Sequence, residues 1–131
     1  MLGIETATTD VAVAIVDEDG LRSGLSARAR RNHVELLHPM VTEACRLAGL
    51  DLAELGGIAV DVGPGLFTGI RVGIAAAQGF SIALDIPVAA VTSLEALTAA
   101  LGPVLLAGAA VAPGDVILGI ASSGIHSNGY S

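Results

Sequence analysis

Residues 57–73 read Gly57-Ile58-Ala59-Val60-Asp61-Val62-Gly63-Pro64-Gly65-Leu66-Phe67-Thr68-Gly69-Ile70-Arg71-Val72-Gly73, an apolar run that passes through a glycine-rich turn into a second apolar run. The first run predicts a strand, and the small and apolar residues from Ile70 to Leu84 predict a packed helix. A helix that starts directly after such a turn presents unpaired backbone N–H groups, which favour an anion. The stretch matches neither a Walker loop nor the GxGxxG fingerprint, so a phosphate cradle and a tight packing turn are both open interpretations.

The first hundred residues as a whole predict an α/β fold, with a mixed sheet and packed helices. Apolar spacing and turn residues indicate elements in the order β-β-β-α-β-α-β-α. The predicted strands are 2–6, 11–16, 21–27, 57–62 and 88–91, and the predicted helices are 32–49, 70–84 and a third from Ser93 onward. Residues 17–20 are expected to form the hairpin turn between the second and third strands.

The first predicted helix carries clear end signals and one internal ambiguity. Asn32 with Glu35 three residues later resembles a capping box, and Gly49 is expected to end the helix. Pro39 lies inside the apolar pattern, so it either kinks the helix after one turn or marks a later start. Cys45, the single cysteine, falls on the apolar face of this helix. A single cysteine excludes a disulfide framework within the chain and fits a reduced cytoplasmic setting.

The composition argues against direct binding to nucleic acid. Thirteen acidic residues oppose six basic ones, which gives a formal net charge of -7 that repels a phosphate backbone. Aromatic residues make up 2% of the chain, too few for a platform on which bases stack. Arg28, Arg30 and Arg31 form the one local basic cluster. We interpret it as a solvated turn, and the alternative is a contact with an acidic partner or with RNA held by that partner.

Residues 96–114 form an uncharged run that is long enough to raise the question of a membrane span. Gly102-Pro103 lies near its middle and Pro113 near its end, and its alanines and glycines are weakly apolar. These features favour a packed helix followed by a junction. The N-terminus lacks a basic segment followed by an apolar core and therefore does not resemble a secretory signal. We expect a cytoplasmic protein that does not enter a membrane.

Four motifs in the same order resemble the TsaB (YeaZ) family: Leu2-Gly3-Ile4-Glu5-Thr6-Ala7-Thr8, Arg31-Asn32-His33-Val34-Glu35-Leu36-Leu37-His38-Pro39, the stretch from Gly63 to Gly73, and the stretch from Ile86 to Leu97. The resemblance runs from residue 1 to about residue 100. It implies the first lobe of an actin-like ATPase (ribonuclease H-like) fold, with the second lobe missing or replaced. It also implies a non-catalytic partner of the catalytic paralogue TsaD in making threonylcarbamoyladenosine in tRNA, with the ATPase TsaE joining the complex and tRNA contacted only indirectly.

The same resemblance implies that this chain is not an enzyme. The catalytic paralogue carries two metal-binding histidines four residues apart, and Ser93 and Leu97 stand at the matching positions here. Neither residue supplies an imidazole, so we assign no metal site. His33 and His38 are five residues apart, which puts them on different faces of a regular helix. We interpret His33 as a residue of the helix start.

The resemblance also supplies candidate site residues. The nucleotide-facing candidates are Thr6, Gly63, Gly65 and Thr68, and a loop retained without use is the alternative. We assign no cofactor to the chain itself, and the resemblance allows ATP or ADP in the assembled complex. The surface that pairs with TsaD, or with a second copy in a homodimer, is expected to comprise Leu37, Val41, Ala44, Gly73, Ala76 and Ala77.

The segment after about residue 100 departs from this pattern. We predict an Ala/Gly-rich junction at 101–112, followed at 113–131 by a strand and a Gly/Ser loop. Residues 111–131 resemble a segment of phosphoribosylformylglycinamidine cyclo-ligase, a purine-biosynthesis enzyme, which suggests a chimeric chain. The alternative functions are therefore a cyclo-ligase fragment or fusion, and a nucleotide-binding relic of the wider superfamily.

Overall fold

The computed structural model describes residues 1–29 and 32–101 of the chain. This part folds as an α/β unit with the predicted order of strands and helices. Its elements are β1 (Leu2–Glu5), β2 (Asp10–Asp17), β3 (Gly20–Arg28), α1 (His33–Ala48), β4 (Ile58–Asp61), α2 (Phe67–Leu84), β5 (Val88–Val91) and α3 (Ser93–Leu101), with a short 3-10 turn at Leu52–Glu54. The predicted junction and the cyclo-ligase-like segment lie outside the described residues, apart from residue 101.

The strands form one mixed sheet in the order β3-β2-β1-β4-β5. β1, β2 and β3 pair antiparallel through short connections, whereas β4 pairs parallel with β1 and with β5. α2 provides the crossover between β4 and β5, and α1 precedes β4. Alternate residues of β2 are buried, including Val11, Val13 and Ile15, which is the period-two pattern of a strand with one face on the core. The predicted mixed sheet is confirmed.

The core lies between one face of the sheet and the helices α1 and α2. α1 contacts β2 and β3, while α2 contacts β1, β4 and β5, and the two helices touch each other. The largest fully buried apolar side chains belong to Leu2, Val11, Ile15, Val41 and Ile58. Removing this apolar surface from water stabilises the fold at about 25 cal/mol per Å².

The ends of α1 confirm one of the predicted signals and correct another. Gly49 has a φ of 74° and ends the helix, with its N–H donating to the Arg46 carbonyl. The predicted capping box is wrong, because the Asn32 side chain makes no capping hydrogen bond. Pro39 lies inside the continuous helix. Because Pro39 has no backbone N–H, the carbonyl of Glu35 lacks its helical hydrogen bond. Glu35 is exposed, so water can donate to this carbonyl instead.

α2 begins at Phe67, three residues before the predicted start, because the end of the glycine turn already has helical hydrogen bonding. The N–H of Ile70 donates to the carbonyl of Leu66 at 2.9 Å. By length and composition alone, α2 is apolar enough to cross a membrane. Its buried residues are Gly69, Gly73 and Ala77, which are four residues apart and form the face packed on the sheet. We therefore interpret α2 as a sheet-packed helix.

Candidate functional site

The glycine turn after β4 is tied to the neighbouring elements by its backbone. Gly63 has a φ of 99°, a conformation that favours glycine, and its peptide bond to Pro64 is cis. Its N–H donates to the Asp61 carboxylate at 2.7 Å, and its carbonyl accepts from the N–H of Ser93 at 3.0 Å. The turn is thereby held between the end of β4 and the start of α3.

The loop between β1 and β2 packs directly on this turn and on the first turns of α2. The Leu66 N–H donates to the Ala7 carbonyl at 2.6 Å. A side chain at Gly65 would overlap the backbone of Ala7, and a side chain at Gly69 would overlap the carbonyl of Thr6. These glycines therefore permit a close approach between the loop and the helix, as the packing-turn interpretation expects.

Glu5, at the end of β1, closes the same loop with its carboxylate. It accepts hydrogen bonds from the Ala7 N–H at 2.6 Å, the Thr8 N–H at 3.1 Å and the Thr8 hydroxyl at 3.2 Å. Burial raises the pKa of the Glu5 carboxyl, and the nearby Asp61 charge adds to the rise, while the bonds from Ala7 and Thr8 act in the opposite direction. The loop thus closes on the carboxyl group of Glu5.

The predicted nucleotide-facing residues do not form an open cradle. Thr6 is 0% exposed, and its hydroxyl faces Gly73 without a hydrogen-bond partner in the described part of the chain. Gly63 is buried and Gly65 packs against Ala7. Only Thr68 is exposed, and it faces the groove between α1 and α2. The structure therefore brings no open cradle together from these four residues, and the nucleotide site stays a prediction.

A buried carboxylate that the sequence reasoning did not single out joins β4 to α3. Asp61 is 7% exposed, and the Ser93 hydroxyl donates to its two carboxylate oxygens, at 2.7 and 2.8 Å. The same hydroxyl lies 3.0 Å from the Pro64 carbonyl. The only feature of the sequence that could have pointed to this buried carboxylate is the position of an acidic residue within an apolar predicted strand. Ser93, predicted as the start of a helix and as a position that lacks a metal-binding histidine, is also a structural hydrogen-bond donor.

The two predicted histidines have separate surroundings. His33, the first residue of α1, is 5% exposed, and its Nε2 lies 3.0 Å from the Thr8 carbonyl, to which it can only donate. It therefore ties α1 to the loop between β1 and β2. His38 is exposed and stacks on Phe80 of α2, with ring centroids 5.8 Å apart.

Of the predicted basic cluster, Arg28 pairs with Asp10 at 3.3 Å, while residues 30 and 31 lie outside the described chain.

A broad apolar groove of about 850 Å³ lies between α1 and α2. Val34 and Phe67 line it and are 70% and 66% exposed. The groove is lined by Val34, Leu37, His38, Phe67, Thr68, Arg71, Val72, Ala75, Ala76, Gly79, Phe80 and Ala83. An exposed apolar surface of this kind is typical of a protein-binding site.

The structure divides the six predicted interface residues into two groups. Leu37 and Ala76 line the groove, although Leu37 is only 2% exposed and also belongs to the core. The other four are buried and do not line the groove: Val41, Ala44, Gly73 and Ala77. Helical spacing alone could not separate the two groups, because the apolar stripes of α1 and α2 are each wide enough to face both the sheet and the groove. The role of all six residues in a partner interface stays a prediction.

Comparison with known proteins identifies the family. The family model described as TsaD, tRNA N6-adenosine threonylcarbamoyltransferase, matches residues 26–126. The chain belongs to this family. The tRNA N6-adenosine threonylcarbamoyltransferase of Bradyrhizobium sp. strain BTAi1 is 36% identical over 116 residues, which cover 73% of this chain and 33% of that protein. The TsaB protein of Haemophilus influenzae is 34% identical over 100 residues, covering 76% of this chain and 42% of that protein.

The fold agrees with solved structures of the TsaD/TsaB family. YeaZ from Pseudomonas aeruginosa superposes with a TM-score of 0.67 at 36% identity, over 71% of this chain and 43% of that one. The resemblance to TsaB (YeaZ) and the first-lobe fold of the actin-like, ribonuclease H-like class are thereby confirmed. The chain spans about a third to two-fifths of the length of these relatives. The family match continues past residue 100, and the predicted domain boundary and chimera stay predictions.

Proposed function

We propose that this chain acts as a non-catalytic subunit in making threonylcarbamoyladenosine in tRNA, and that its α1–α2 groove docks the TsaD-type catalytic subunit. The observation that carries the proposal is the groove itself, where large apolar side chains such as Val34 and Phe67 are left exposed between two helices. Covering such a surface is favourable in proportion to the apolar area removed from water. The similarity to TsaD and TsaB proteins supports a TsaD-type subunit as the partner that binds in this groove.

The non-catalytic role is supported by the residues at the start of α3. Ser93 and Leu97 match the two metal-binding histidines of the catalytic paralogue. The Ser93 hydroxyl is committed to the Asp61 carboxylate, and Leu97 has an apolar side chain, so neither can serve as the missing ligand. The docking role needs no chemistry at this position.

The proposal extends to the setting of the complex. The net charge of -7 disfavours a direct contact with tRNA, so we propose that tRNA is bound by the catalytic subunit. We further propose a TsaE-type ATPase as a member of the complex and a cytoplasmic location, both of which the resemblance to TsaB supports. The proposed docking role does not require a nucleotide bound at the glycine turn.

A pair of α2 variants tests the docking role. Ala76→Arg puts a long charged side chain into the groove, and Ile82→Arg makes the same change on the same helix at a residue that is 84% exposed and outside the groove. We expect Ala76→Arg to weaken binding to the organism's own TsaD-type subunit about thirtyfold or more, and Ile82→Arg to bind like the wild type. Titration calorimetry gives the affinities, and thermal unfolding checks that both variants fold.

The matching activity assay follows threonylcarbamoyl transfer to tRNA by the assembled complex. Ala76→Arg should lose the stimulation that wild-type chain provides, and Ile82→Arg should retain it. Equal binding by the two variants, or full stimulation by Ala76→Arg, would count against the proposed groove. Binding only to a second copy of the chain would replace the proposal with a homodimer.

A further inference from the structure

Arg71 differs from the other arginines in the described part of the chain. Arg22, Arg28 and Arg46 each lie within ion-pair distance of a carboxylate, at 3.3, 3.3 and 2.7 Å. Arg71 has no such partner among the described residues, and its guanidinium carbon lies 5.3 Å from the ring centroid of Phe67. This contact holds the charge at the groove wall and leaves its N–H donors available.

The groove around Arg71 offers it no negative charge. No aspartate or glutamate is among the lining residues, and α2 contains none between Phe67 and Leu84. Covering the groove with a purely apolar surface would remove the guanidinium from water without a partner, which is costly. An occupant that supplied a carboxylate at this point would offset that cost and would gain a bidentate hydrogen bond.

We propose that Arg71 determines the specificity of the groove, and that the occupant is an apolar surface of a different polypeptide that carries a carboxylate opposite Arg71. The inference rests on the proposed docking function and specifies the chemistry of the partner. In a chain with thirteen acidic and six basic residues, a lone cation in an apolar groove selects for an acidic group.

A second copy of this chain supplies that group poorly. Its own groove lining brings another Arg71 and no carboxylate. On α1, Glu43 is already bound by Arg46 through two hydrogen bonds, at 2.8 and 2.7 Å, and Glu35 does not line the groove. Asp85 follows the last residue of α2 and also lies outside the lining. Charge complementarity therefore favours a partner with a different sequence.

The test compares Arg71→Lys, Arg71→Met and Arg71→Glu with the wild type for binding to the organism's own TsaD-type subunit, at about 50 mM and about 500 mM NaCl. We expect the wild type to bind more weakly at high salt. Arg71→Met should bind about tenfold more weakly than the wild type at low salt and show little salt dependence, and Arg71→Glu about a hundredfold more weakly. Arg71→Lys keeps the charge and should stay within about tenfold of the wild type.

The outcomes separate this inference from the docking function on which it rests. If Ala76→Arg abolishes binding while Arg71→Glu binds within about twofold of the wild type, docking stands and the role of Arg71 is overturned. If Ala76→Arg binds normally, the groove is not the docking site and both fail. If light scattering shows that a second copy fills the groove and that Arg71→Glu leaves this dimer intact, the acidic heterologous partner is overturned. Thermal unfolding of the Arg71 variants should match the wild type, since Arg71 is exposed.

Discussion

Gly69 and Gly79 lie on the same helix but have opposite surroundings. At Gly69, the carbonyl of Thr6 occupies the space that a Cβ would need, with His33 close by. At Gly79, no atom lies within 4 Å of that position. The sequence predicts a glycine-rich turn followed by a packed helix, and the structure shows that only some of the glycines in this stretch are needed for close packing.

We expect Gly69→Ala to destabilise the fold by about 1–3 kcal/mol, because the clash is with backbone that cannot change rotamer. Gly79→Ala is the matched control. It should stabilise the fold by about 0.5–1 kcal/mol, because alanine loses less entropy in a helix than glycine does. Urea denaturation measures both free energies of unfolding. Equal effects of the two substitutions would contradict the close approach of Thr6 to α2.

Glu5 gives the loop between β1 and β2 a predicted dependence on pH. Because burial raises its folded-state pKa, its contribution to stability is fully present below the ordinary value of 4.5 and is lost as the pH rises through the raised pKa. Glu5→Gln removes this titration and keeps an oxygen that can accept from the Ala7 and Thr8 N–H groups. The stability of Glu5→Gln relative to the wild type should therefore increase between about pH 4 and about pH 7. Chemical denaturation across that range measures the difference, and a constant difference would show that Glu5 does not titrate in this way.

At the scale of elements, one buried carboxylate connects a strand, a turn and a helix. Asp61 of β4 accepts from the Gly63 N–H and from the Ser93 hydroxyl, which starts α3. α3 also has a capping arrangement in which the Thr92 N–H donates to Glu95 at 2.8 Å, and this bond contributes most to lowering the pKa of the Glu95 carboxyl. The position of α3 therefore depends on hydrogen bonds at its first turn.

Ser93→Ala should destabilise the fold by about 1–3 kcal/mol, because it leaves the buried Asp61 carboxylate with one fewer donor. Thr98→Ala is the control on the same helix. The Thr98 hydroxyl bonds to the Leu94 carbonyl within α3, so its loss should change stability by less than about 0.5 kcal/mol. Urea denaturation of the two variants gives the comparison. A Ser93→Ala variant as stable as the control would contradict the link between β4 and α3.

The order of elements could be predicted because each depends on a local pattern. The alternation of Val11, Val13 and Ile15 marks β2, and Gly49 marks the end of α1. The start of α2 and the capping box at Asn32 were predicted incorrectly, because turn residues can continue a helix and a capping side chain can point elsewhere. The contact between Asp61 and Ser93 joins residues 32 positions apart, a distance that no local pattern spans.

At the scale of the whole molecule, charge and apolar surface are distributed unevenly. The chain carries a net charge of -7, yet the groove between α1 and α2 is lined mainly by apolar residues, with one arginine and no aspartate or glutamate. An acidic surface keeps such a protein soluble and repels nucleic acid, while the groove offers a place for one partner. This arrangement supports the docking role, and the variants at Ala76 and Arg71 test it.

The α/β class, the element order and the family could be read from the chain alone, because the apolar period, the turn residues and the motifs each lie within a short stretch of residues. Which apolar residues border the groove depends on the tertiary structure. Val41 and Ala77 are buried away from the groove, Leu37 is buried but borders it, and Ala76 is partly buried at its wall, although all four belong to the apolar stripes of α1 and α2. The reason is physical: a side chain's exposure depends on where two helices meet over a sheet, and that meeting is set by contacts between residues far apart in the chain.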